Sequence, residues 1–287
     1  MTALPIVRTF TDSHGVETTF YEWPAANPRA VIQLAHGLGE HARRYDHLAE
    51  YLNRNGFSVY ANDHRGHGET GLNQIKTGQT KTLGNLGTGG MLATFKAENE
   101  FTKLIRSENK KLPLVLLGHS WGSFIAQKVI NEHSADYDLV VLTGTTLTMP
   151  GTMGAFGFNK KWNGPEATGF EWLSRDPKVG EAFVADPKTF YADAAKVMGV
   201  GNSLRLFGKP AAAVRADLPI LVMVGSDDPI GAERGAHALV EAYRKRAGVK
   251  DIELVVYHDA RHEVFNETNR SEVYEDLVGW INAHLGA

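Results

Sequence analysis

The sequence predicts an α/β protein: a mostly parallel, eight-stranded sheet with helices on both faces and a helical cap inserted late in the chain. Three observations predict it. Short runs rich in Val, Ile and Leu, apolar on both faces, alternate with longer amphipathic stretches. Two short alternating runs open the chain around a turn signal. Residues 147–217 lack any strand pattern, yet hold six of the 13 Phe, two of the 5 Trp and three of the 6 Met.

Taken in order, residues 7–10 and 18–21 read as a hairpin closed by Asp12-Ser13-His14-Gly15. Ala30–Ala35, Phe57–Asn62, 112–118, Leu139–Thr143, Ile220–Gly225 and 252–258 read as buried parallel strands. Helical patterns fall at 43–55, Gly90–Glu108, Trp121–His133, 232–247 and 269–284. Residues 1–146 and 218–287 are expected to build the sheet domain, and 147–217 the cap (lid). The cap's aromatic side chains are expected to line an apolar pocket. Ligands of such sheets gather beyond the carboxyl ends of the strands.

Composition narrows the function. The chain has 287 residues, enough to bury a sizeable core. It has no cysteine, which excludes disulfides, thiolate metal sites and cysteine nucleophiles. The net charge of −3 argues against nucleic acid as a partner. No apolar run is long enough to span a bilayer. Met1-Thr2-Ala3-Leu4-Pro5 shows no leader pattern, so a cytoplasmic protein is expected.

Gly118-His119-Ser120-Trp121-Gly122 lies between a strand and a helix, the context that G-x-S-x-G requires. A tight turn there exposes the Ser120 hydroxyl, and close approach leaves room only for glycine two positions either side. Ser120 capping the helix is the plain alternative. A serine nucleophile needs a base. His262 follows the last strand, and His258 is its neighbour and rival. The base in turn needs a carboxylate. Asp227 and Asp228 end the strand Ile220–Gly225; Asp228 is preferred because Pro229 rigidifies the turn after it. Oxyanion donors are expected from the Trp121 amide and from Leu38, in the loop His36-Gly37-Leu38-Gly39-Glu40-His41. The run Asn62-Asp63-His64-Arg65-Gly66-His67-Gly68 lacks metal-ligand spacing and reads as a structural loop, with Asp63 and Arg65 paired locally.

With these motifs together, the chain resembles the serine α/β-hydrolase superfamily over nearly its full length. Within it, the chain looks most like the monoglyceride lipase and lysophospholipase group. The likeness rests on His36-Gly37-Leu38-Gly39-Glu40-His41, Asp63-His64-Arg65-Gly66-His67-Gly68, Gly118-His119-Ser120-Trp121-Gly122, Gly225-Ser226-Asp227-Asp228 and His262. The resemblance implies an α/β-hydrolase fold, Ser120 as nucleophile, Asp228 as acid, His262 as base, and the Leu38 and Trp121 amides as oxyanion hole. It implies a cofactor-free, metal-free serine esterase acting on monoacylglycerols or similar single-chain acyl esters. Trp121 departs from the Met of many relatives, and its large ring is expected to narrow the site.

A peptidase or amidase of the same fold is the second reading. It calls for an amine-binding acidic cluster in the cap, for which Glu166, Glu171, Asp176, Glu181 and Asp186 are candidates, otherwise read as solvated helix faces. A non-catalytic binding protein on a hydrolase scaffold is the third. An exposed apolar cap is expected to touch micelles or membrane surfaces transiently.

Overall fold

The computed structural model describes residues 4–154 and 157–286. Met1 to Ala3, read above for a leader, and Ala155 and Phe156 of the expected cap lie outside them. Among the described residues the strands form an eight-stranded sheet in the order β1-β2-β4-β3-β5-β6-β7-β8.

The strands β1 (Ile6–Thr11) and β2 (Glu17–Trp23) are antiparallel, with Ile6 opposite Glu22. Their turn is held by Asp12, whose side chain accepts from the His14 and Val16 amides at 2.8 and 3.0 Å. β2 also runs antiparallel to β4 (Phe57–Asn62). The remaining strands are parallel: β3 (Ala30–Ala35), β5 (Leu114–His119), β6 (Leu139–Thr143), β7 (Ile220–Gly225) and β8 (Ile252–Tyr257). β5 starts two residues later than the sequence suggests, because Pro113 has no N–H to give the ladder; its carbonyl instead accepts from Val31.

Side chains of the central strands alternate between two cores, as the period of two demands. Leu116, Leu142 and Val222 face one core, shared with α3 (Gly90–Glu108), α4 (Trp121–His133) and α8 (Ala232–Ala242). Leu117, Val141 and Met223 face the other, covered by α1 (Asp46–Arg54) and α9 (Arg270–Leu285). α8 continues as a π-helical turn over Tyr243–Ala247. The helix α2 (Gly68–Lys76) has no counterpart in the sequence reading. Its Gly68, Thr70, Gly71 and Asn73 are weak helix formers, and tertiary contacts carry it.

Between β6 and β7 the described residues contain no strand. They hold α5 (Pro177–Ala185), α6 (Ala194–Met198), α7 (Val200–Leu204) and short 3-10 turns. This insertion is tied to the sheet domain beside β3 and β8. Phe190 N–H donates to the Gly39 carbonyl at 2.9 Å, and Glu263 N–H to that of Leu173 at 2.7 Å. No described helix is long and apolar enough to cross a membrane.

The loop after β4 corrects the sequence reading. Asp63 and Arg65 do not pair. The Asp63 carboxylate accepts from Tyr21 OH and from the Ala42 and Glu69 amides, at 3.1, 2.9 and 2.7 Å. It thereby serves the first turn of α2, where orphan amides need an acceptor. Arg65 runs the other way, to Asp12 at 2.7 Å and to the carbonyls of Leu86 and Thr88. Both members of that ion pair are buried, so the long guanidinium spends its donors on the hairpin turn and on residues 86–88.

Candidate active site

Ser120 stands between β5 and α4 with φ 52° and ψ −122°, a conformation a residue with a Cβ rarely takes. The flanking glycines make the turn possible. A Cβ on Gly118 would fall 2.7 Å from Ser123 Cα, and one on Gly122 would collide with the Ala35 and His36 carbonyl oxygens. The turn is pinned by Ser120 N–H donating to the Thr143 carbonyl at 2.9 Å, and by the Ser123 amide donating to Ser120 O at 2.9 Å.

His262 lies in the loop after β8 with its ring between those of His119 and Trp172, at centroid distances of 4.8 and 4.9 Å. Its Nδ1 is 2.9 Å from Asp228 Oδ2, and the other Asp228 oxygen accepts from the Ile230 amide at 2.9 Å. An ionised Asp228 only accepts, so Nδ1 carries the proton and Nε2 the lone pair. Burial pulls the imidazolium's pKa down; Asp228, helped by Glu263 and Glu40, outweighs it and leaves the value above the ordinary one. Nε2 is buried with no hydrogen-bond partner, and Ser120 and His262 line one narrow cleft without bonding directly. His258 is absent from this cleft: its side chain is 90% exposed beside Asp259. Asp227 is also elsewhere, paired with Lys161 at 2.6 Å.

The loop expected to carry an oxyanion donor, His36 to His41, follows β3. His64 N–H donates to His36 Nε2 at 3.0 Å. That acceptor role puts the His36 proton on Nδ1, which donates to the Gly37 carbonyl at 2.8 Å. Gly37 N–H donates to Glu40 Oε1 at 2.6 Å. Among the described residues the Leu38 and Trp121 amides donate to no other protein group. Both residues line the same cavity as Ser120.

Sequence reasoning gave no role to the ionic cluster beneath. Arg44 reaches Glu40 at 2.5 Å and Glu263 at 2.6 and 2.9 Å, and Tyr45 OH donates to Glu40 at 2.7 Å. It ties the loop of Leu38 to the loop of His262. Burial opposes the charge on Glu263, but Arg44 prevails and holds that carboxyl at about 2. The one available signal was Glu263, adjacent in sequence to His262.

An apolar cavity of about 280 Å³ opens beside Ser120. Leu38, Phe124 and Ile230 line it from the sheet domain, and Met153, Phe158 and Trp172 from the insertion. Trp121 takes part, but its ring is also packed back on His67 at 4.9 Å and edge-on to His64 at 5.3 Å. The acidic candidates of the insertion do not converge here. Asp186 bonds His41 at 2.8 Å, Asp176 caps α5 through the Lys178 amide, and Glu171 accepts from Asn159 and Thr168. Glu166 and Glu181 are exposed. Asp251, Glu253 and His284 bring possible ligand atoms within 4.8 Å of one another, but at the amino end of β8, opposite to Ser120.

The fold is that of an α/β-hydrolase, and the chain's similarity to lipases and esterases marks it as a serine ester hydrolase acting on small-molecule esters. The sequence pattern of the family described as "Serine aminopeptidase, S33" matches residues 26–269, and the chain belongs to that family. It is 31% identical to the monoacylglycerol lipase of Mycolicibacterium smegmatis over 285 residues, covering 94% of this chain and 95% of that protein. It is 25% identical to the monoglyceride lipase of Mus musculus, covering 93% and 87% of the two chains. The crystal structure of a thermostable carboxyl esterase from Bacillus coagulans in complex with glycerol superposes with a TM-score of 0.83 at 25% identity, covering 99% of this chain and 100% of that one.

Proposed function

We propose that this chain hydrolyses monoacylglycerols and similar single-chain esters through an acyl-enzyme on Ser120. The observation that carries the reading is the apolar cavity of about 280 Å³ beside Ser120. It lies just under the about 300–1,000 Å³ of ordinary small-molecule sites, room for one acyl chain rather than two. Among the described residues its one ionisable lining residue is Asp193, which caps α6 through the Lys196 amide, and the rest of the lining is uncharged. Residues 147–217 act as the cap that supplies most of this wall.

Ser120 Oγ attacks the ester carbonyl carbon as its proton passes to His262 Nε2. The carbonyl oxygen takes up the negative charge and rests on the Leu38 and Trp121 amides. His262 returns the proton to the departing glycerol oxygen as that C–O bond breaks. Water then gives a proton to the same nitrogen and attacks the acyl-enzyme, releasing the fatty acid and free Ser120. Asp228 keeps the His262 tautomer and offsets the imidazolium charge.

Fatty-acid release from monoacylglycerols of increasing chain length, with Ser120→Ala as control, tests this. Turnover is expected to peak at one length and to vanish in the variant. Folded protein that ignores every ester but cleaves aminoacyl amides would overturn the lipid reading.

A further inference from the structure

Behind the wall of the acyl cavity lies a second, larger hollow of about 560 Å³, well inside the about 300–1,000 Å³ of small-molecule sites. The wall is thin. Leu204 and Leu206 line the acyl cavity, while Arg205 between them lines the hollow. On α4, Phe124 lines the first, and Lys128 and Val129, one turn later, line the second. No catalytic candidate lines the hollow.

Its chemistry is two-sided. Leu92, Phe95 and Val129 make an apolar floor, and Leu92 remains 54% exposed there. Lys96, Lys128 and Arg205 stand against one carboxylate, Glu132. Among the described residues none of these cations makes an ion pair; Lys96 and Arg205 are exposed and Lys128 is half-buried. Lys128 donates to the Phe207 carbonyl at 2.7 Å, and burial pushes its pKa down. An ammonium has three donors, so an anion in the hollow has N–H groups to meet. A bare inorganic anion would leave the floor in water; a neutral lipid would leave the cations unpaired.

We infer that this hollow binds a fatty-acid anion, with its carboxylate among Lys96, Lys128 and Arg205 and its chain along Leu92, Phe95 and Val129. The identification of that anion with the enzyme's own product rests on the hydrolase reading above.

The test is calorimetric titration of Ser120→Ala protein with decanoate, repeated with Lys96→Gln and Arg205→Gln added. Expected is a class of decanoate binding that the two substitutions weaken about tenfold, as loss of charge-assisted bonds to a carboxylate requires. Added salt should weaken the same class. Decanol, which lacks the charge, should bind equally to both proteins. Decanoate binding that the substitutions leave unmoved overturns the inference. So does inorganic phosphate displacing decanoate at matching affinity, because the site then reads charge alone. Turnover of 1-decanoylglycerol by the Ser120-intact double variant is a separate arm, expected at the unsubstituted rate. Absence of turnover in the unsubstituted protein would count against the monoacylglycerol reading and leave the titration to decide the hollow by itself.

Discussion

His36 touches no substrate in this reading, yet its removal should slow the chemistry. The Gly37 carbonyl and the Leu38 N–H belong to one planar peptide and point opposite ways. The His36 Nδ1–H bond to that carbonyl, at 2.8 Å, therefore sets the direction of the proposed oxyanion donor. The ring is held in turn by the His64 amide at 3.0 Å, and burial, with His64 and His67 nearby, keeps it neutral. His36→Phe retains the ring and deletes both bonds. It strands one buried amide and one buried carbonyl, each costing about 1–3 kcal/mol, so a loss of about 2–6 kcal/mol of stability is expected. Complete loss of an oxyanion donor lowers kcat about 10²–10³-fold. A donor left in place but free to swing should cost about 10–100-fold, with KM little changed. The assay is kcat and KM on 1-decanoylglycerol, with a thermal melt to establish folding. His36→Gln, whose amide can still donate, should recover part of kcat, and Leu38→Ala should keep most of it because the donor is main chain. A folded His36→Phe protein within twofold of the original kcat would refute the reasoning.

Three further outcomes are expected. His262→Ala should abolish ester turnover while His258→Ala, altering a side chain 90% exposed, keeps most of it; kcat/KM of the two variants decides, and the reverse result would exchange their roles. Because His262 must be neutral to accept the Ser120 proton and its pKa is raised, kcat/KM should fall on acidification with a midpoint above about 6.5. A profile flat down to pH 5 contradicts this. Glu98 is buried, and burial pushes its carboxyl up to about 7. The folded state therefore holds that proton between 4.5 and 7 while the unfolded chain releases it, so the penalty grows as pH rises through this window. Glu98→Gln should stabilise the protein by up to about 3 kcal/mol at pH 8 and by little at pH 4.5, read from denaturant melts; equal gains at both would show that charge is not the cause.

The parallel strands were legible because they are mostly apolar on both faces, a signal that survives without any neighbour, and β1 and β2 because alternating runs flank a turn signal. The serine turn was legible because steric collision at Gly118 and Gly122 writes itself into residue type. α2 was not, since weak helix formers are held there by Asp63 and by packing distant in sequence. The failed pairing of Asp63 with Arg65 has the same origin. Nearness in sequence suggested a local bond, but Asp12 and Tyr21, 53 and 42 positions away, are the partners the fold supplies. The Arg44 cluster was hidden likewise, because Glu40 and Glu263 meet only after β3 and β8 are in one sheet.

The buried histidines show why one of them suits the role of base. His36, His64, His67 and His119 all have pKa values depressed by burial, His64 to about 3 and His67 to about 4. Three are spent on the frame: His36 on the Gly37 carbonyl, His67 on that of Arg65, His119 on Thr143. Burial acts on His262 as well, but there Asp228 at 2.9 Å reverses its sign. Position in the sequence singles out His262, and the carboxylate gives the physical reason. The same desolvation that keeps the frame neutral makes an aligned Asp worth more, since charge interacts more strongly away from water. The acid limb expected of the pH profile therefore reports one imidazole, while its neutral neighbours hold the loop of Leu38 in place.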